Sequence, residues 1–287
     1  MPKISVILPA HNEEKAIGEI IRKIQSIIKD DYEIIVVDDG STDSTADVAQ
    51  KAGARIIKHP YNIGNGAAVK TGLRHASGKI FVLMDADGQH DPQYIPQLLK
   101  KIDEYDMVVT ARTGWTDAPL HRRLANIAYN VFASYLSKTR IADLTSGFRV
   151  IRADVAKRFI YLLPNTFSYP STMTMAVCKT GHSLTYITVR LKPRVGKSKI
   201  NIFSDGVRFI LIIMKIATLF SPMRIFFPTS VACSAVGIAH AAYKIFFLNE
   251  QYTDLSLMLI TTGIMIFLMG LIAEQITQLR LERSEGG

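Results

Sequence analysis

The chain has 287 residues, 48% of them hydrophobic, and a formal net charge of +9. That length allows one large domain or two smaller pieces. High hydrophobicity with a basic balance fits a membrane protein on an anionic surface better than a nucleic-acid binder, and no RNA- or DNA-binding motif stands out.

The N-terminus leads straight from Met1-Pro2-Lys3 into a strand, without the charged and apolar regions of a signal peptide. The first two-thirds of the chain are therefore expected in the cytosol. Two cysteines, Cys178 and Cys233, are too few for a metal cluster. Cys233 lies in an apolar run, so no disulfide is expected and a reducing compartment fits. Ile4 to Leu8 reads as a buried strand ending at Pro9. The loop Pro9-Ala10-His11-Asn12-Glu13-Glu14 follows. Isoleucines at 17, 20, 21, 24, 27 and 28 then give helical spacing with one inward face. Tyr32 to Val37 reads as a second strand, closed by Asp38-Asp39-Gly40-Ser41. Asp43 or Ser44 caps a helix through Ala52. Ala54 to Lys58 is a third strand, and Gly64-Asn65-Gly66 opens a helix to about Ala76. That glycine turn completes neither a G-x-G-x-x-G nor a Walker A pattern. It is either a tight strand-to-helix turn or an aid to a pyrophosphate at a helix N-terminus. Ile80 to Met84 and Met107 to Thr110 are the fourth and fifth strands. Strand and helix alternate, which implies an α/β fold with a mainly parallel sheet and helices on both faces. Ligands in such sheets bind beyond the carboxyl ends of the strands. The rule gathers Pro9–Glu14, Asp38–Ser41 and Asp85–Gln89 along one rim.

The stretch Asp85-Ala86-Asp87-Gly88-Gln89 leaves the fourth strand. Alone it is either a simple turn or a site where paired carboxylates and an amide hold a hard cation, Mg²⁺ or Mn²⁺, with phosphate oxygens completing the shell. From Arg112 the pattern turns irregular and basic, with His121, Arg122 and Arg123 ahead of a helix from Leu124 to Leu136. The arginines either bind a second phosphate or form a solvated charge run. Asp143-Leu144-Thr145-Ser146-Gly147-Phe148-Arg149 precedes a short strand at Val150-Ile151, and Leu184 to Leu191 is a later strand. The basic loop Arg194-Val195-Gly196-Lys197-Ser198-Lys199 closes over phosphates or meets anionic lipid.

Residues 201–224 read as an amphipathic helix lying in a membrane interface. Ile225 to Leu248 and Leu255 to Ala273 are each long enough to span about 30 Å at ~1.5 Å per residue. With only Asn249–Asp254 between them, they form an antiparallel hairpin. The connector has no Lys or Arg, whereas Arg194, Lys197, Lys199 and Arg224 precede the hairpin and Arg280 and Arg283 follow it. Both ends therefore face the cytosol. His240 is read as a helix-packing residue. The chain divides into a catalytic domain at 1–200, the interfacial helix at 201–224, the hairpin at 225–276 and a cytosolic tail at 277–287.

Taken together, Pro9–Glu14, Val37–Asp43, Asn62–Gly66, Asp85–His90, Ser146–Arg149 and Arg194–Lys199 ahead of a membrane hairpin resemble family 2 glycosyltransferases of the Rossmann-like GT-A fold. Within them the chain is similar to dolichyl- or polyprenyl-phosphate mannosyl- and glucosyltransferases, over about residues 3 to 200. The resemblance implies an inverting, metal-dependent enzyme. It would move a hexose from GDP-mannose or UDP-glucose to a dolichyl or undecaprenyl phosphate at the cytosolic face. Pro9, Ala10, Asn12, Glu14, Asp38 and Asp39 would hold the nucleotide. Asp85, Asp87 and Gln89 would bind Mg²⁺ or Mn²⁺, and Asp87 would act in catalysis. Arg122, Arg123 and Ser146 would face the lipid phosphate, while Arg194, Ser198 and Lys199 would engage phosphates from a closing loop. Asn126 stands where the family sometimes has a serine. No nucleic-acid partner is implied, and a homo-oligomer is compatible. The rival readings are a polysaccharide synthase, a transferase for another membrane acceptor, and a non-catalytic sugar-nucleotide-binding anchor. The single Trp115 lies outside the Gln-x-x-Arg-Trp pattern of polysaccharide synthases.

Overall fold

The computed structural model describes residues 3–112, 120–165, 168–190, 214–249 and 251–285, with side chains left aside at 120–125 and 283–285. The chain divides into two compact units, Met1–Asp205 and Gly206–Gly287.

The first unit is built on a seven-stranded sheet. Its elements begin β1 (Ile4–Ala10), α1 (Ile17–Ile27), β2 (Tyr32–Asp38), α2 (Thr45–Lys51), β3 (Arg55–Lys58), α3 (Asn65–His75) and β4 (Ile80–Leu83). They continue with α4 (Ile95–Lys101), β5 (Met107–Arg112), α5 (Leu120–Ser137), β6 (Arg149–Arg152), α6 (Ala153–Arg158), α7 (Tyr169–Lys179) and β7 (Leu184–Val189). The sheet order is β3-β2-β1-β4-β6-β5-β7. Every pairing is parallel except those of β6, which runs against both β4 and β5.

The apolar runs explain the layers. All seven residues of β1 are buried, as expected for a central strand covered on both faces. The α1 isoleucines at 17, 20, 21 and 24 are buried on that helix's inner side. On α3, Gly72 allows close approach to β1: a Cβ there would fall 2.3 Å from Ile7 Cγ2. β1 runs two residues past the expected end, because Pro9 and Ala10 stay in register with Val37 and Asp38. The helices α4, α6 and α7 were not anticipated from the sequence. Cys178 and Cys233 are both free, and burial pushes the Cys178 thiol up to about 11.

Two consequences position the site. β1 has β2 on one side and β4 on the other, so the chain switches direction across the sheet there and opens a crevice at the strand ends. The reversed direction of β6 puts its first residue opposite the last residue of β4, Arg149 against Leu83. The loop before β6 therefore arrives at the same rim as the segment after β4.

The second unit contains α8 (Met223–Phe247) and α9 (Asp254–Glu285). The segments Met223–Leu248 and Asp254–Glu282 are long and apolar enough to cross a membrane. Glycines record their antiparallel packing. A Cβ at Gly237 would fall 2.9 Å from Ile260, one at Gly263 2.1 Å from Ser234 Oγ, and one at Gly270 2.6 Å from Phe226. Small residues at these crossings let the two backbones come close. His240 Nδ1 lies 2.8 Å from Ser256 Oγ, and Glu274 accepts the Met223 amide at 3.3 Å. Of the expected interfacial helix, residues 214–220 are helical and 201–213 lie outside the described residues.

Candidate active site

A cavity of about 360 Å³ opens at the rim of the first unit. Pro9, Ala10, His11 and Glu13 line it from the end of β1 and its loop, and Asp39 from the end of β2. Asn62, Asn65 and Ala68 come from the start of α3 and the turn before it, and Asp85, Ala86 and Asp87 from the end of β4.

The first two loops are tied to each other. Asn12 adopts a left-handed backbone, φ 58°, which a short polar side chain tolerates. Its amide donates to Ser41 Oγ at 3.0 Å, and its Oδ1 accepts the Thr42 amide at 2.9 Å. Glu14 accepts the Ser44 amide at 3.2 Å, at the N-terminus of α2. Asp38 is buried and accepts the Ser41 amide at 3.0 Å, closing a tight turn. Asn12, Glu14 and Asp38 thus brace the loops, while Pro9, Ala10 and Asp39 reach the cavity wall. Asp39 is buried too, and it accepts the amides of Ile63 at 3.0 Å and Gly64 at 2.8 Å.

Asp85 and Asp87 follow the end of β4, and both line the cavity. Asp87 Oδ1 accepts the Gln89 amide at 3.1 Å, which orients that carboxylate. Asn65 Nδ2 reaches Asp85 Oδ1 at 3.4 Å. The Asp85 carboxylate rests on the bare α-carbon of Gly147, where a Cβ would lie 2.3 Å from Oδ2. Gln89 is half-buried at the same turn. Among the described residues no three His, Cys, Asp or Glu side chains gather at one point. Two half-buried carboxylates on a cavity wall still fit a hard divalent cation, because such ions take oxygen ligands and fill their shell with phosphate and water.

Behind this pair lies a buried cation. Arg149 is fully buried, and its guanidinium donates to the carbonyls of Pro170 (2.9 Å) and Ser146 and to Thr174 Oγ1 (3.1 Å). Burial lowers its pKa, and the charge of Asp85 acts the other way. Tyr169 donates its hydroxyl to the Gly147 carbonyl at 3.2 Å. Burial raises the Tyr169 pKa, and the negative charge of Asp85 raises it further. Ser146 is buried, with its hydroxyl 2.7 Å from Thr110 Oγ1, so it anchors the loop before β6. His90 is buried edge-on against Phe148 at 5.4 Å, and its Nδ1 has no hydrogen-bond partner. Burial pushes His90 down to about 4, so it is neutral at pH 7.

Arg122 and Arg123 fall in the first turn of α5, and their side chains lie outside the described residues, as do Arg194, Ser198 and Lys199 entirely. His11 and Glu13 lie in the expected loop Pro9–Glu14, whereas Asn62, Asn65 and Arg149 were not singled out as site residues from the sequence. Asn62 and Asn65 carried a signal in the turn that opens α3.

The glycosyl transferase family 2 model matches residues 5–160, and a model described as the GtrB C-terminal hairpin matches residues 221–279. A dolichyl-phosphate hexose transferase of Haloferax volcanii is 30% identical over 206 residues, 71% of this chain and 89% of that protein. An undecaprenyl-phosphate 4-deoxy-4-formamido-L-arabinose transferase of Enterobacter sp. is 32% identical over 185 residues, 58% of this chain and 56% of that protein. The match thus spans little more than half of that relative's length. The structure of glucosyl-3-phosphoglycerate synthase from Mycobacterium tuberculosis, in complex with Mn²⁺, uridine diphosphate and phosphoglyceric acid, superposes with a TM-score of 0.61. It is 22% identical, and the superposition covers 76% of this chain and 78% of that one. The fold of the first unit is GT-A-like.

Proposed function

Because the chain belongs to glycosyl transferase family 2, we propose that it transfers a hexose, mannose or glucose, from a nucleotide sugar to a polyprenyl phosphate. In this reading the reaction inverts the anomeric carbon, needs Mg²⁺ or Mn²⁺, and occurs at the cytosolic face of the membrane. The observation that carries the reading is the pair Asp85 and Asp87, aimed from the end of β4 into a cavity shared with Asp39. The hairpin match and the named activities of the relatives support a lipid phosphate acceptor.

The bound cation would stabilise the negative charge that develops on the leaving diphosphate. Asp85 and Asp87 would hold it, with Gly147 keeping room for the Asp85 carboxylate and buried Arg149 offsetting charge behind. Asp39 and the loop at Pro9–Glu14 orient the nucleoside. Arg122 and Arg123 would serve the lipid phosphate, and Arg194, Ser198 and Lys199 would engage the phosphates. Ser146 contributes by fixing the acceptor-side loop. A phosphate monoester has a second pKa of about 6 and is largely dianionic at pH 7, so it attacks without a strong general base. The protein's main task is to bring two anions into line. A single displacement then gives a β-linked product from an α-linked donor.

The test is a membrane assay with labelled UDP-glucose and GDP-mannose, a polyprenyl phosphate, and added EDTA. Transfer is expected with one donor, lost in EDTA. Asp87→Ala is expected to lower it by roughly 10²–10³-fold, the usual scale for losing one charge-stabilising contact. Full activity in Asp87→Ala, or transfer to a diacylglycerol but not to polyprenyl phosphate, overturns the assignment.

A further inference from the structure

Asp39, on the cavity wall, is held by three fixed partners. Its Oδ1 accepts the Ile63 amide at 3.0 Å and meets His59 Nδ1 at 2.7 Å, while its Oδ2 accepts the Gly64 amide at 2.8 Å. A carboxylate offers about four acceptor positions. These partners leave one, on Oδ2, for a ligand in the cavity that Asp39 lines. His59 is held in turn, its Nε2 lying 2.9 Å from the Thr71 hydroxyl on α3. With the proton on Nδ1, His59 donates to Asp39 and accepts from Thr71. The side chains of His59 and Asp39 are only 9% and 4% exposed, so these bonds form away from water, where they are stronger. Gly40 brings the two turns together. It has φ +69°, and a Cβ there would sit 2.5 Å from the Tyr61 backbone.

We propose that His59 is a positioning residue for donor recognition: the chain Thr71–His59–Asp39 fixes the plane of the Asp39 carboxylate and presents its remaining Oδ2 position to an N–H or O–H of the nucleoside. The proposal rests on the nucleotide-sugar reading above. An unbraced carboxylate would have to be ordered by the ligand, which weakens binding. Because that cost is the same in the ground and transition states, it appears in the donor KM and leaves kcat alone.

Full-length protein in detergent is titrated with UDP and with GDP in the presence of Mn²⁺, and donor KM, lipid KM and kcat are measured in parallel. His59→Ala is expected to raise the nucleotide Kd and donor KM about 10-fold, with kcat and lipid KM within about 2-fold. His59→Asn keeps an N–H for Asp39 and is expected to stay within about 3-fold of the parent, with Thr71→Val between the two. In an Asp39→Ala background, His59→Ala is expected to cost nothing more, the mark of a residue acting through its neighbour. A fall in kcat with unchanged nucleotide Kd, or penalties that add in the double variant, overturns the proposal. If His59→Ala fails to fold, His59→Asn and Thr71→Val decide by the same readouts. A parent protein that binds nucleotide but transfers to no acceptor would sink the transfer reading, while the binding arm would still judge His59.

Discussion

The α-carbon of Gly147 lies tight against the site. A Cβ there would lie 2.3 Å from Asp85 Oδ2, so the requirement is space, not an unusual backbone angle. Gly147→Ala is expected to push the Asp85 carboxylate away from the cation position. The Mn²⁺ concentration for half-maximal transfer should rise roughly 10–100-fold, the range seen when the support of a metal ligand is disturbed. An unchanged Mn²⁺ requirement would show that Asp85 is not a ligand. The Asp85-Ala86-Asp87 pair could be read from the sequence, because it follows an apolar strand directly. The Gly147 contact could not, since it joins residues far apart in the chain and no spacing rule connects them. Arg149 was hidden for a related reason. An arginine in a sequence reads as surface charge, and its buried acceptors at Ser146, Pro170 and Thr174 come together only in the fold.

Among the elements, the loop between α5 and β6 is held from two sides. Asn130 on α5 donates to the Ala142 carbonyl at 2.8 Å and accepts the Leu144 amide at 3.0 Å. From the end of β5, Arg112 grips Asp143 with two nitrogens, at 2.6 and 2.8 Å. Burial pulls the Asp143 carboxyl upward, but the hydrogen bonds and charge of Arg112 outweigh it and hold the pKa below its ordinary 3.8. Such a group contributes stability above its unfolded pKa, and the contribution is lost as pH falls through the lowered folded value. Arg112→Ala removes the guanidinium and leaves burial opposed only by the amides of residues 112 and 145 and the Thr145 hydroxyl, so the folded pKa rises and the stability that the ionised carboxylate contributes is lost. The variant is expected to lose about 3 kcal/mol at pH 7, or roughly 6–12 °C in melting temperature, and the deficit should shrink towards pH 4. Melting curves of the full chain in detergent at both pH values check this; a deficit independent of pH would contradict it. The alternation of strands and long helices was legible from apolar spacing. The helices α4 and α6 are too short to show a period. α7 is buried on nearly all sides, with Thr172, Met173, Thr174 and Met175 alike inside, so it has no contrasting face. Nothing in Arg149–Arg152 records that β6 runs against its neighbours.

For the whole molecule, the hairpin raises a question of sidedness. α8 and α9 run antiparallel, so the two outer ends lie on one side and the connector on the other. α9 has 32 residues, about 48 Å at ~1.5 Å per residue, more than a bilayer core of about 30 Å. The charge pattern predicts the outer ends in the cytosol. In a Cys178→Ser, Cys233→Ser background, Gln251→Cys is expected to react with a membrane-impermeant maleimide on intact cells. Gln278→Cys should react only after permeabilisation, and the reverse pattern would turn the topology over. The antiparallel course of β6 also matters during synthesis. The nascent chain carries Asp85 and Asp87 early, but the floor under Asp85 arrives only when Gly147 and β6 slot between β4 and β5. Met223 follows roughly 70 residues later, some 4–15 s at 5–20 residues per second. The ribosome thus gives the first unit a head start of seconds before α8 emerges.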